Sequence, residues 1–177
     1  MSNLKKNLIF VFDSNGIRRI TFEDSLKLCI GKDPSIVNIV ACNEEDSNIL
    51  GYFQRQEDQL TYINVNDYLD TWINSIHLDA NLGVNLRGNN HILLTKNQVK
   101  DDSDLASIFF TEDLERGNFP WKILNIKDHK ENEIASKLDL GESYVSDDEI
   151  YIRHKNFIAY QKRVVEKNQG PTVRLYL

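Results

Sequence analysis

Cysteine is almost missing from this chain: two occur in 177 residues, Cys29 and Cys42. So few thiols cannot build the disulfide framework of a small secreted scaffold. They point to the reducing cytosol, with both side chains acting as small buried hydrophobes. Proline is as scarce, with three residues far apart, and no proline-rich linker or low-complexity tract divides the sequence. One globular domain over residues 1–177 is therefore expected. Long apolar runs are also lacking. Lysines at 5 and 6 precede "LIFVF", which stops at Asp13 and is too short for a signal-peptide core or a membrane span.

The signatures of common enzymes are absent too. The glycines at 83 and 88 are followed by no Lys-Ser or Lys-Thr pair, so they form no phosphate loop. No Gly-x-Ser-x-Gly elbow or Cys-x-x-Cys pair occurs. No catalytic residue, metal or cofactor is assigned, and the chain reads as a non-enzyme.

What is present is ordinary globular material, 41% apolar and 27% charged, with a net charge of −6. The acids cluster at Glu44, Glu45 and Asp46, at 57–58, at Asp101, Asp102 and Asp104, and at 146–149. Such a surface repels phosphate backbones and speeds the approach of a basic protein. No direct nucleic-acid binding is expected.

Periodicity and turn residues give the expected elements. "KNLIFVFDSNGIRRITF" reads as a hairpin about Asn15-Gly16. "TFEDSLKLCIGKDP" offers Phe22, Leu26 and Ile30 at helical spacing, and "ILGYFQRQEDQLTYINV" reads as two antiparallel strands. "NDYLDTWINSIH" sets Tyr68, Leu69, Trp72, Ile73 and Ile76 on one helical stripe, with Asn66 or Asp67 as its cap. A second hairpin is expected about "RGNN", joining 82–86 to 91–95. Residues 103–116 lean to helix, though "ASIFF" also fits a buried strand, and 155–167 fit strand or helix. "PWKILNI" reads as a strand, "ENEIASKLDLG" as a short helix with Ile134 and Leu138 inward, and the tail as an antiparallel meander. Together these predict an α+β fold with a mainly antiparallel, curved sheet and three or four short helices.

Three constellations look like chemistry, and each has a stronger structural reading. His77, Asp79 and His91 have ligand chemistry for zinc but no diagnostic spacing, and they suit a helix end and a strand start. Asp128 and Lys130 match the Asp-x-Lys pattern of metal-dependent nucleases, yet no second carboxylate can be named. Arg153, Lys155, Lys162, Arg163, Lys167 and Arg174 interleave with Tyr151, Phe157 and Tyr160. That pattern suits single-strand binding, but equally a meander with charges on one face and aromatics on the other.

In overall character across its length, the chain resembles the immunity proteins that bacteria pair with antagonistic nuclease toxins, including those of contact-dependent inhibition. The resemblance implies a cytoplasmic, stoichiometric inhibitor that occludes a basic toxin's active site with an acidic surface. On that expectation Asp101, Asp102, Asp104, Glu44, Glu45 and Asp46 are the partner-binding residues. A metal-dependent hydrolase or nuclease, or a single-stranded nucleic-acid-binding module, is the alternative.

Overall fold

The computed structural model describes residues 6–13, 16–23, 27–31, 39–40, 49–56, 59–67, 69–95, 106–125, 133–139, 142–154 and 157–163. These form strands β1 (Lys6–Asp13), β2 (Gly16–Glu23), β3 (Leu28–Gly31), β4 (Ile39–Val40), β5 (Gly51–Gln56), β6 (Gln59–Asn64), β7 (Asp70–Ile73) and β8 (Ile76–Leu78). They continue with β9 (Gly83–Leu86), β10 (Asn89–Thr95), β11 (Ala106–Thr111), β12 (Trp121–Asn125), β13 (Ser143–Val145), β14 (Glu149–His154) and β15 (Phe157–Lys162). A central sheet has the order β2-β1-β11-β10-β7-β8, a second β4-β3-β5-β6-β9, and a third β12-β15-β14-β13. Only the β3–β4 pair is parallel among the described residues.

The central sheet is covered on both faces, and its sequence says why. In β1, Ile9 and Val11 enter a core shared with Phe53, Leu60 and Tyr62 of the second sheet. Leu8, Phe10 and Phe12 point the other way, against Ile150, Ile152 and Ala159 of the third. A strand buried on both sides reads as an unbroken apolar run, hence "LIFVF". The same holds for β11, where Ile108 and Phe110 face one core and Phe109 the other. By contrast β5 and β6 bury every second residue and read as alternation.

The fold is therefore almost all β, which corrects the expected α+β class. Among the described residues the only helical pieces are two 3-10 turns, Leu114–Asn118 and Ala135–Lys137. The stripe in "NDYLDTWINSIH" is not a helix: β7 and β8 form a hairpin closed by Asn74 and Ser75, both left-handed at φ 50° and 68°. Trp72 sits half-buried on β7 beside His77 rather than at the centre of an apolar stripe. Helical spacing arose by coincidence because two short strands and a tight turn place apolar residues three and four apart. Likewise, Phe22 and Ile30 reach the core from β2 and β3, and residues 106–111 are strand. The β1–β2 and β5–β6 hairpins lie in the expected places. The stretch about "RGNN" bends as expected, with Gly88 at φ 65°, but β9 pairs with β6 and β10 with β7 and β11. It is a corner between two sheets, not a hairpin. No helix among the described residues is long and apolar enough to cross a membrane.

Close packing of the second sheet makes one glycine obligatory. A Cβ on Gly51 would run into Tyr62 Oη and lie 2.9 Å from Ile63 O. Burial pushes the Tyr62 phenol pKa up, and its hydroxyl has no hydrogen-bond partner among the described residues. Gly51→Ala should therefore cost about 1–3 kcal/mol through overpacking. Tyr62→Phe should cost little, and on that background Gly51→Ala should cost less. Urea unfolding of the four proteins checks this. An equal cost in both backgrounds would place the conflict at the Ile63 carbonyl instead.

Candidate functional site

One end of the two larger sheets gathers most of their connections. Register places Gly31 near Gly51, Gly51 opposite Asn64, Asp70 opposite Thr95 and Ala106 opposite Leu94. β3, β4, β6 and β10 thus end where β5, β7, β9 and β11 begin. Loops borne on such a rigid frame are where proteins place recognition.

Two buried asparagines fix this end. Asn64 Oδ1 accepts from Asn66 N (3.2 Å) and Asn66 Nδ2 (2.6 Å), while Asn64 Nδ2 donates to Leu78 O (3.0 Å). Asn66 Nδ2 also donates to Leu50 O at 3.1 Å, and Asn66 Oδ1 accepts from Leu69 N at 2.8 Å. Both side chains are almost wholly buried. Backbone bonds from Leu50 N to Ile30 O, Val65 N to Leu50 O and Asn81 N to Asn64 O extend the network. Satisfied buried amides of this kind hold a single arrangement, because any slip would strand a polar group away from water. The network ties the second sheet to β7 and β8 of the central one.

Sequence reasoning offered Asn66 or Asp67 as a helix cap. The bond of Asn66 to the N–H three residues on has cap geometry, but a strand follows. Asn64 was read only as part of a strand, so nothing in "NVN" announced the network.

The expected partner-binding residues Asp101, Asp102, Asp104, Glu44, Glu45 and Asp46 lie outside the described residues, as do Asp128 and Lys130. The strand ends that flank both acidic clusters, Val40, Thr95 and Ala106, belong to the end just described.

His77, Asp79 and His91 do not converge. His77 Nε2 lies 3.4 Å from Asp70 Oδ1 and its Nδ1 3.2 Å from Asp79 Oδ1, in a half-exposed cluster on β8. His91 is buried across β7 from it, with Nε2 3.1 Å from Ser107 Oγ. No group of three or more ligating side chains able to hold a metal occurs among the described residues.

The basic tail is neutralised where it is described. Arg153 Nη1 donates to Leu138 O at 2.8 Å, Lys162 Nζ lies 3.4 Å from Glu149, and Arg163 pairs with Asp113 and Glu115. Tyr151 and Tyr160 stack at 4.5 Å on the same face as Arg153 and Lys162, not on the opposite face as expected. Lys155, Lys167 and Arg174 lie outside the described residues.

No protein-family model and no curated protein matches this chain. Among solved structures it resembles an engineered FHA domain with a Myc-pTBD peptide, at TM-score 0.50 and 15% identity over 64% of this chain and 95% of that one. It also resembles the FHA domain of an Arabidopsis thaliana hypothetical protein, at TM-score 0.50 and 17% identity over 63% of this chain and 87% of that one. At such identities the likeness is one of fold, an FHA-type β-sandwich. It overturns the toxin-inhibitor expectation, which leaned on an α+β architecture that this chain does not have.

Proposed function

We propose that this chain is a protein-interaction module that holds a segment of a protein partner at the connection end of its two larger sheets. Convergence carries the reading: the ends of eight strands and the Asn64–Asn66 network assemble one rigid rim there, with no metal-ligating cluster among the described residues. The likeness to an FHA domain solved with a peptide supports a role in binding rather than turnover. The acidic clusters at Glu44, Glu45 and Asp46 and at Asp101, Asp102 and Asp104 are flanked by strand ends on this same rim. A basic partner surface would complement them.

The test is affinity capture from the source cell, followed by surface kinetics of the captured protein at two ionic strengths. A stoichiometric basic partner is expected. Glu44→Gln, Glu45→Gln and Asp46→Asn together, or Asp101→Asn, Asp102→Asn and Asp104→Asn together, should slow association and flatten its salt dependence. An unchanged thermal melt would separate lost attraction from lost fold. An acidic partner, or kinetics that ignore both sets of substitutions, overturns the reading.

A further inference from the structure

A second surface, on the face of the central sheet turned to the third sheet, has the form of a docking groove. Where the third sheet covers the central one, it stops short of β2, and an open groove of about 390 Å³ lies between them. Its lining includes Phe10 and Ile17 from the central sheet and Trp121 and Ile123 from β12. Ile123 is 52% exposed, an unusual position for a large aliphatic side chain beside other apolar groups. Both flanking strands are sheet edges: among the described residues nothing pairs with the outer side of β2 or of β12.

Charge narrows the occupant. Among the described residues the one ionisable lining residue is Arg19, whose Nη1 reaches Gly117 O at 3.2 Å on the exposed side. Among the described residues no carboxylate lines the groove, in a chain that carries 27 acids. A cationic, apolar cleft on an acidic protein favours the opposite composition in its ligand.

We propose that this groove docks an extended peptide segment of a protein partner as an added strand along the free edge of β12. Its apolar side chain packs against Phe10, Trp121 and Ile123, and its carboxylate lies beside Arg19. Edge addition supplies main-chain hydrogen bonds along β12, while alternate side chains of the peptide enter the groove and set specificity. The groove belongs to the face turned to the third sheet and not to the core of the two larger sheets, so the two sites take different segments.

A displayed library of random linear dodecapeptides, selected on the full chain, tests this. Selected sequences should alternate apolar residues with at least one Asp or Glu. A synthetic copy should shift the amide resonances of Trp121–Asn125 and lose at least tenfold in affinity on Ile123→Asp. Arg19→Glu should turn the selected consensus from acidic to basic, a reversal that loss of folding cannot mimic. Both replaced side chains are exposed, and an unchanged thermal melt confirms an intact fold. A library that yields no binder, a consensus indifferent to Arg19→Glu, or shifts confined to residues 64–70 overturns the proposal. The last of these would leave the rim reading standing.

Discussion

Phe109→Ala should remove about 3–5 kcal/mol of stability, as truncation of a wholly buried phenylalanine does when its surroundings cannot collapse. Phe109 sits in the middle of β11, with its ring 6.3 Å from Phe10 and 6.3 Å from Trp121. It belongs to the core between the central and third sheets, not to the core of the two larger sheets. The damage should therefore fall first on the packing of the third sheet. Trp121 fluorescence should change at a lower urea concentration than in the parent, and the loss is large against the 5–15 kcal/mol of a typical protein. A parent-like urea midpoint by Trp121 fluorescence would mean that the third sheet is not packed on this core at all.

The doubly covered sheet also explains what was and was not legible. Turn chemistry was readable: the dipeptide at 15–16 and the polar bend at 54–59 each mark a hairpin that the backbone adopts. Alternation was readable in β5 and β6, which have one wet face. The inward direction of Ile134 and Leu138 was readable too, although only a 3-10 turn lies between them. What misled was brevity. Strands of three or four residues, such as β7 and β8, are too short to display a period of two, and Trp72, Ile73 and Ile76 then fit a helix as well as a hairpin. The asparagine network was invisible for a different reason. Asn64 and Asn66 carry no pattern of their own, and their partners Leu50 and Leu78 lie more than ten residues away in sequence. The acidic clusters stood out in the sequence, but only topology shows that the strand ends Val40, Thr95 and Ala106 that flank them in the chain lie at one end.

Arg116 shows how the third sheet is fastened, and it should carry the other large effect. Its side chain is 1% exposed, yet one Nη2 donates to both Ser146 O and Asp147 O at 2.6 Å in the β13–β14 turn. Gln161 Nε2 returns bonds to Arg116 O at 2.9 Å and Phe119 O at 3.0 Å, so the 3-10 turn after β11 is pinned to β14 and β15 from both sides. Burial pulls the guanidinium pKa below its ordinary value. Asp113, 3.8 Å from Nε, opposes that shift, and Nε and Nη1 have no hydrogen bond among the described residues. A buried charge with about three of its five N–H donors idle is expensive to keep and more expensive to break. Arg116→Ala should accordingly cost about 3–5 kcal/mol, since it empties a large volume and strands two carbonyls. Arg116→Met should cost less than half as much, because it refills the space and removes the charge, and the turn carbonyls lie close enough to exposed Asp147 to find water. Urea unfolding of both variants decides between packing and bonding. Equal losses would mean that the paired carbonyl contacts hold the third sheet in place, whereas a loss confined to alanine would mean that volume does. If neither variant moves the midpoint, the fastening role is wrong. The groove beside β12 would then rest on a sheet positioned by its apolar face alone.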